Sequence, residues 1–213
     1  ELILDADGDT SITADTDDQI DFKVGGSDVF SVTATGVSGA AVVGKQTMWI
    51  PAAAMYPNTT AGCAGLAQVE LSNGPELKVL DFAAGADDFA QFTVAFPKLW
   101  NAGTVTFQAF FTVTGTNTGT VAWGLSGVAF ADSGDINTAF GTNVVATAKA
   151  HSGTSNDLDV SAVSGAVTIA GSPSVDELVF FQIMRDVSAD NQTGAARLLG
   201  IKLFFTTTAL TDA

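Results

Sequence analysis

In the run Gln19-Ile20-Asp21-Phe22-Lys23-Val24, apolar and polar side chains alternate one for one. Period-two alternation puts Ile20, Phe22 and Val24 on one side of an extended chain and Gln19, Asp21 and Lys23 on the other. That is the pattern of a half-buried β-strand. It recurs along the chain in short runs closed by turn formers. "TSIT" and "DVFSVT" flank the first example. Further on, "TMWI" ends at Pro51, "AQVEL" at "SNGP", "LKVLDF" at "AAGADD" and "FAQFTVAF" at Pro97. "GTVTFQAFFTVTG", "TVAWGLSGVAF", "TNVVATAKA", "DLDVSAV", "AVTIAG", "LVFFQIM" and "RLLGIKLFFTT" complete about eleven candidates beyond residue 46.

Many short strands with turns between them indicate a sandwich or jelly roll rather than alternating strands and helices. β-Branched and aromatic enrichment and the density of glycine argue against buried helices. The expected fold is all-β: a short β-repeat shaft segment over residues 1–36, a small-residue linker over 37–46, and a jelly-roll-like antiparallel β-sandwich head over 47–213. Single helical turns are expected at "PAAAMY" and "TGAARLL". Phe92, Phe107, Phe110, Phe111, Phe180, Phe181 and Phe204 are the expected core. Trp100 sits in the turn-like "FPKLWNAG", where an indole either packs under a loop or stands free to stack on a sugar; packing is expected.

The first 36 residues have their own logic. They hold nine acids against Lys23, a net of −8 out of −15 for the chain. Asp5, Asp7 and Asp9 have the spacing that opens an EF-hand loop, but that loop needs Gly at its sixth position and Glu at its twelfth. Here those positions are Thr10 and Thr16. Ile12, Ile20, Phe22, Val24, Phe30 and Val32 form one apolar stripe, and a few short strands cannot cover it alone. The chain opens inside a strand pattern, so residues upstream of Glu1 are expected.

The D-x-D-G-D-T turn, the "TDDQIDF" strand and the "GGSDVFSV" hairpin resemble the acidic β-repeats in shafts of phage tail fibres, especially those of marine tailed phages. The resemblance covers residues 2–37. The segment from "KQTMWIPAAAMYP" to "IKLFFTTTA" also resembles a globular region that follows such repeats in phage structural proteins, with no catalytic motif attached. In such fibres three chains intertwine, so each stripe meets two copies. The resemblance implies a virion protein, homotrimeric, joined to other virion proteins through its N-terminal side.

Chemistry is sparse. Eight basic residues are dispersed along the chain, so no patch neutralises a run of phosphates, and neither nucleic acid nor an anionic membrane is an expected partner. No apolar run reaches 18 residues, so membrane insertion is not expected. Cys63 is alone, without a basic neighbour, and reads as a buried small hydrophobe. His151 lies in the polar stretch "AKAHSGTSND" and reads as an exposed loop residue. "GLSGV" and "GVSGA" are not nucleophile elbows, and no phosphate loop or metalloprotease motif is present. Two carboxylates suffice for glycoside hydrolysis, and Asp87, Asp88, Asp132, Asp135, Asp157, Asp159, Asp176 and Glu177 fall near turns, where they read as solvated caps. Asp157-x-Asp159 is the best pair for a structural cation, though no cofactor or metal is expected.

The reading is a non-enzymatic virion protein, a tail-fibre or capsid-fibre component that attaches to a host surface glycan or protein. Its rivals are a capsid decoration protein and a tailspike-like depolymerase. Attachment sites favour loops on a rigid scaffold. The polar turns 114–120, 151–157 and 186–194 are the candidates, with Thr116, Asn117, His151, Ser155, Asn156, Asp190, Asn191 and Gln192 as receptor-binding residues.

Overall fold

The computed structural model describes residues 1–34, 36–39 and 42–208. They form two compact units, one of Glu1–Gln46 with Pro97–Asn101 and the segment from Thr206, the other of Thr47–Phe96 with Ala102–Phe205.

In the first unit, β1 (Leu2–Ile3), β2 (Ser11–Thr13), β3 (Gln19–Val24), β4 (Ser27–Thr33) and β5 (Gly36–Ser38) make an antiparallel meander in chain order. Gly25 and Gly26 both have positive φ, 59° and 72°, which matches the twist of a two-residue hairpin between Val24 and Ser27. Val37 and Ser38, expected in the linker, pair instead with Val32 and Ser31. Ala40 and Ala41 of that linker lie outside the described residues, as do residues 209–213 of the expected head.

The second unit follows as β6 (Lys45–Pro51), a 3₁₀ turn at Ala52–Ala54, β7 (Tyr56–Pro57), β8 (Ala67–Glu70), β9 (Glu76–Phe82), β10 (Asp88–Ala95), β11 (Thr106–Val113) and β12 (Thr120–Val121). Then come β13 (Trp123–Phe130), β14 (Val144–Val145), β15 (Lys149–Ala150), β16 (Asp159–Val160), β17 (Ile169–Ala170), β18 (Leu178–Arg185) and β19 (Ala196–Thr206). One sheet runs β14-β13-β18-β10-β7 with β17 beside β13; the other runs β16-β11-β19-β9-β8 with β6 beside β19. The fold is all-β, a jelly-roll-like sandwich. The turn expected in "PAAAMY" is present at Ala52–Ala54, whereas the "ARLL" of "TGAARLL" opens β19, where pairing with β9 and β11 overrides the helical preference of Ala and Leu.

Aromatic rings fill the space between the sheets. Phe82 of β9 and Phe111 of β11 both meet Trp123 of β13 edge-on, at 5.0 and 5.6 Å between ring centres. Phe96 bridges Phe181 of β18 and Phe205 of β19. Phe92, Phe107, Phe111 and Phe181 are buried as expected. Phe110, Phe180 and Phe204 are only half-buried, because each follows or precedes an inward residue and so points to the outer face of its sheet. Trp100 is buried. Trp49 is 46% exposed and lies edge-on to Phe110, with the Lys202 ammonium over the same Phe110 ring.

Candidate functional site

The three loops singled out by composition meet at one end of the sandwich. Loop 114–120 leaves β11, loop 151–157 joins β15 to β16, and loop 186–194 joins β18 to β19. Hydrogen bonds stitch them together. Asn191 N–H and Gln192 N–H both donate to the Thr120 carbonyl, at 3.1 and 3.0 Å. Thr120 N–H returns a 2.6 Å bond to Asn191 Oδ1, and Asn117 Nδ2 donates to Thr193 Oγ1. On the other side His151 N–H donates to the Gly119 carbonyl, Asn156 N–H to the Val113 carbonyl, and Ser155 Oγ to the Thr114 carbonyl. Gly119 is required by crowding: a Cβ there would sit 2.7 Å from the Asn191 carbonyl oxygen.

Beneath the loops lies a residue the sequence reading did not single out. Arg185, the last residue of β18, is fully buried. Its Nε donates to Asp190 Oδ2 at 2.7 Å and its Nη2 to Asp190 Oδ1 at 3.2 Å; the Phe82, Gly194 and Gln192 carbonyls take its other bonds. A guanidinium can be buried only when its donors are met this completely. The available signal was a lone arginine closing the apolar run "LVFFQIM" with an aspartate five residues on.

The fates of the candidate residues divide accordingly. Thr116, Asn117, Ser155, Asn156 and Asn191 are exposed. Asp190 is spent on Arg185, its side chain only 3% exposed. Gln192 is buried, its Nε2 donating to the Asn117 and Gly119 carbonyls. Both are framework residues rather than contact residues, because a buried arginine and the orphan carbonyls of a tight loop demand partners. His151 also departs from expectation: it is buried, and its Nδ1–H donates to the buried Asp159 Oδ2 at 2.6 Å.

That bond separates the pair considered for a cation, since Asp157 is exposed and accepts from Ser152 Oγ. Other turn acids act as backbone acceptors: Asp88 for Ala83 N–H, Asp135 for Asn137 N–H and Glu177 for Ser174 N–H within their own turns, and Asp87 for Val187 N–H from a distant loop. What the loop end offers is a braced surface of hydroxyl and amide groups with the exposed Asp157 carboxylate among them.

In the first unit, carboxylate oxygens of Asp5, Asp7 and Asp9 lie within 4.8 Å of one another, all exposed. Asp5 accepts from the N–H groups of Gly8 and Thr10, and hydrogen bonding, with Thr10 foremost, holds its carboxyl below the usual range. The Lys23 ammonium 2.8 Å from Asp15 lowers that carboxyl and is itself raised.

No protein-family model matches the chain, and no curated protein matches it in sequence. Among solved structures, the family 11 carbohydrate-binding module from Clostridium thermocellum, in complex with a beta-1,3-1,4-mixed-linked tetrasaccharide, aligns at 11% identity and TM-score 0.41 over 79% of this chain and 98% of the module. The CBM36-1 domain of a multidomain xylanase from the hindgut metagenome of Trinervitermes trinervoides aligns at 10% and 0.38, over 74% and 96%. The isomalto-dextranase of Arthrobacter globiformis T6, complexed with panose, aligns at 21% and 0.39 over 74% of this chain but only 23% of the enzyme. Likenesses this loose transfer neither ligand nor reaction.

Proposed function

We propose that this chain is a non-enzymatic virion component that self-associates through its acidic β-repeat and attaches the particle to a host cell surface through the loop end of its sandwich. The observation that carries this reading is the inverted covering of the repeat sheet. Ser11, Thr13, Asp21 and Ser31, on its polar side, are buried, and Asp21 accepts from Ser31 Oγ at 2.5 Å and Gln19 Nε2 at 2.7 Å. On the apolar side Leu2, Leu4, Ile20 and Val24 stand 47–58% exposed, around an edge-on Phe22–Phe30 pair.

A contiguous apolar face left to water in a chain of net charge −15 calls for a partner. A second and third copy of the same stripe supply one without placing an acidic side against another. Association then multiplies the loop surfaces, so individually weak contacts act together at high effective concentration.

Ultracentrifugation of the full chain tests the first half: a trimer is expected, and a monomer for the Ile20→Asp/Val24→Asp double variant with unchanged circular dichroism. Labelled chain applied to a panel of intact bacterial strains tests the second. Thr116→Arg with Thr154→Arg, both exposed, should abolish adhesion while leaving melting unchanged. A monomeric parent defeats the proposal. An oligomer that adheres to no strain points instead to a decoration or assembly protein.

A further inference from the structure

The outer face of the β13-β18-β10-β7 sheet carries a feature that the loop end does not use. Ser126, Gln182, Gln91 and Tyr56 are register partners in one row across four strands. All four lie on the face opposite the inward Phe92, Phe181 and Leu125; Ser126 is buried there, Gln182 and Gln91 are half-buried and Tyr56 is exposed. Beside this row a groove of about 210 Å³ opens, lined by Gln91, Phe130, Phe140, Phe180, Ile136 and Thr138 among others. Phe130 and Phe180 form its floor as an edge-on pair 5.4 Å apart.

The groove is preformed. Its far wall is the segment after β13, which is pinned by Gly141 N–H donating to the Gly127 carbonyl at 3.0 Å and by Asn143 Nδ2 against Met184 Sδ. Gly141 permits this close approach: a Cβ there would lie 2.7 Å from the Thr168 carbonyl oxygen. At the rim, Asp135 accepts from Asn137 N–H at 2.8 Å and so holds Ile136 out, 76% exposed. Tyr56 is exposed at the other end of the row.

From this placement we infer that the groove and the Gln182–Gln91–Tyr56 part of the row form a binding site for a neutral oligosaccharide. None of the groove-lining residues is ionisable, in a chain where 31 residues are charged as 23 acids and eight bases. An anionic ligand therefore finds no counter-charge there. The half-buried Gln91 and Gln182 amides offer donors and acceptors side by side, over aromatic rings that suit the CH faces of a pyranose. A peptide strand is a poorer fit, because β18, which brings Phe180 to the groove, is paired along its length with β10 on one side and β13 on the other and offers no open edge. From Gln182 to Tyr56 the row spans two strand spacings, about 10 Å, which matches a short sugar chain better than a monosaccharide.

The test uses the full chain and a panel of short neutral oligomers of glucose, galactose, mannose, xylose and N-acetylglucosamine, with a sulfated and a uronic-acid oligomer as charged controls. Binding is followed by calorimetry at millimolar ligand. At least one neutral oligomer should bind, and Gln91→Ala with Gln182→Ala should weaken it by roughly tenfold or more, with melting unchanged. Thr116→Arg with Thr154→Arg should leave that affinity as it was, which keeps this site distinct from the loop end. No neutral oligomer bound, equal affinity in the glutamine variants, or binding confined to the charged controls overturns the assignment. So does loss of self-association in Ile136→Asp without any saccharide bound, which gives the groove to a second copy.

Discussion

Arg185 and Asp190 form a two-pronged ion pair with both side chains essentially out of water, Nε to Oδ2 at 2.7 Å and Nη2 to Oδ1 at 3.2 Å. The pair closes loop 186–194 back onto the end of β18, and the Gln192 and Gly194 carbonyls are turned inward to share the same guanidinium. The loop end is therefore built around a charge rather than over a hydrophobic plug.

Breaking the pair from one side should be costly. Asp190→Ala strands a buried guanidinium, and the expected loss is about 3 kcal/mol or more in urea unfolding. Replacing both partners by apolar residues of similar volume should recover much of it. An Asp190→Ala protein as stable as the parent would show that the pair contributes nothing.

His151 and Asp159 make the second buried polar link, between the β15–β16 loop and β16. His151→Ala should cost about 1–3 kcal/mol by leaving the Asp159 carboxylate short of a donor. The His151→Ala/Asp159→Ala double variant should lose less than the sum of the singles, by about 1–3 kcal/mol of coupling. Additive losses in a double-mutant cycle contradict a direct bond.

Two phenylalanines of similar sequence context should behave differently. Phe107 is fully buried between the sheets, so Phe107→Ala should cost about 3–5 kcal/mol. Phe180 faces the outer groove and is half-buried, so Phe180→Ala should cost about 1–2 kcal/mol. Equal losses in chemical denaturation mean that the facing of β18 is wrong.

Burial, reinforced by the nearby Asp88 charge, pushes the Cys63 thiol up to about 12 from an ordinary 9.0. The folded chain thus keeps this proton after the unfolded chain has lost it. Cys63 contributes stability fully below pH 9.0, and that contribution is lost as pH rises towards about 12. Cys63→Ala should flatten the stability profile over that alkaline window. A thiol reagent at neutral pH should react slowly with the native protein and stoichiometrically in denaturant; fast native labelling contradicts the placement.

Strand content and facing were legible wherever apolar and polar residues alternate, because a pleated chain has only two sides. That rule marks β3 and much of β10, and it forecast the uncovered stripe of Ile20, Phe22 and Val24. It is silent where both sides are apolar: in "QAFFTV", "LVFFQIM" and "KLFF" periodicity cannot say which phenylalanine points in, and Phe110, Phe180 and Phe204 proved to point out. Composition singled out the three polar loops, but their meeting depends on β11, β18 and β19 ending together, which strand order decides and local sequence does not encode. The same holds for buried polar groups. His151, Asp190 and Gln192 sit among Ser, Thr, Gly and Asn and read as solvated; only the tertiary fold supplies Asp159, Arg185 and the Asn117 and Gly119 carbonyls that let them leave water. A hydrogen-bond partner distant in sequence leaves no periodic trace, so burial of a polar residue is a property of the assembled structure.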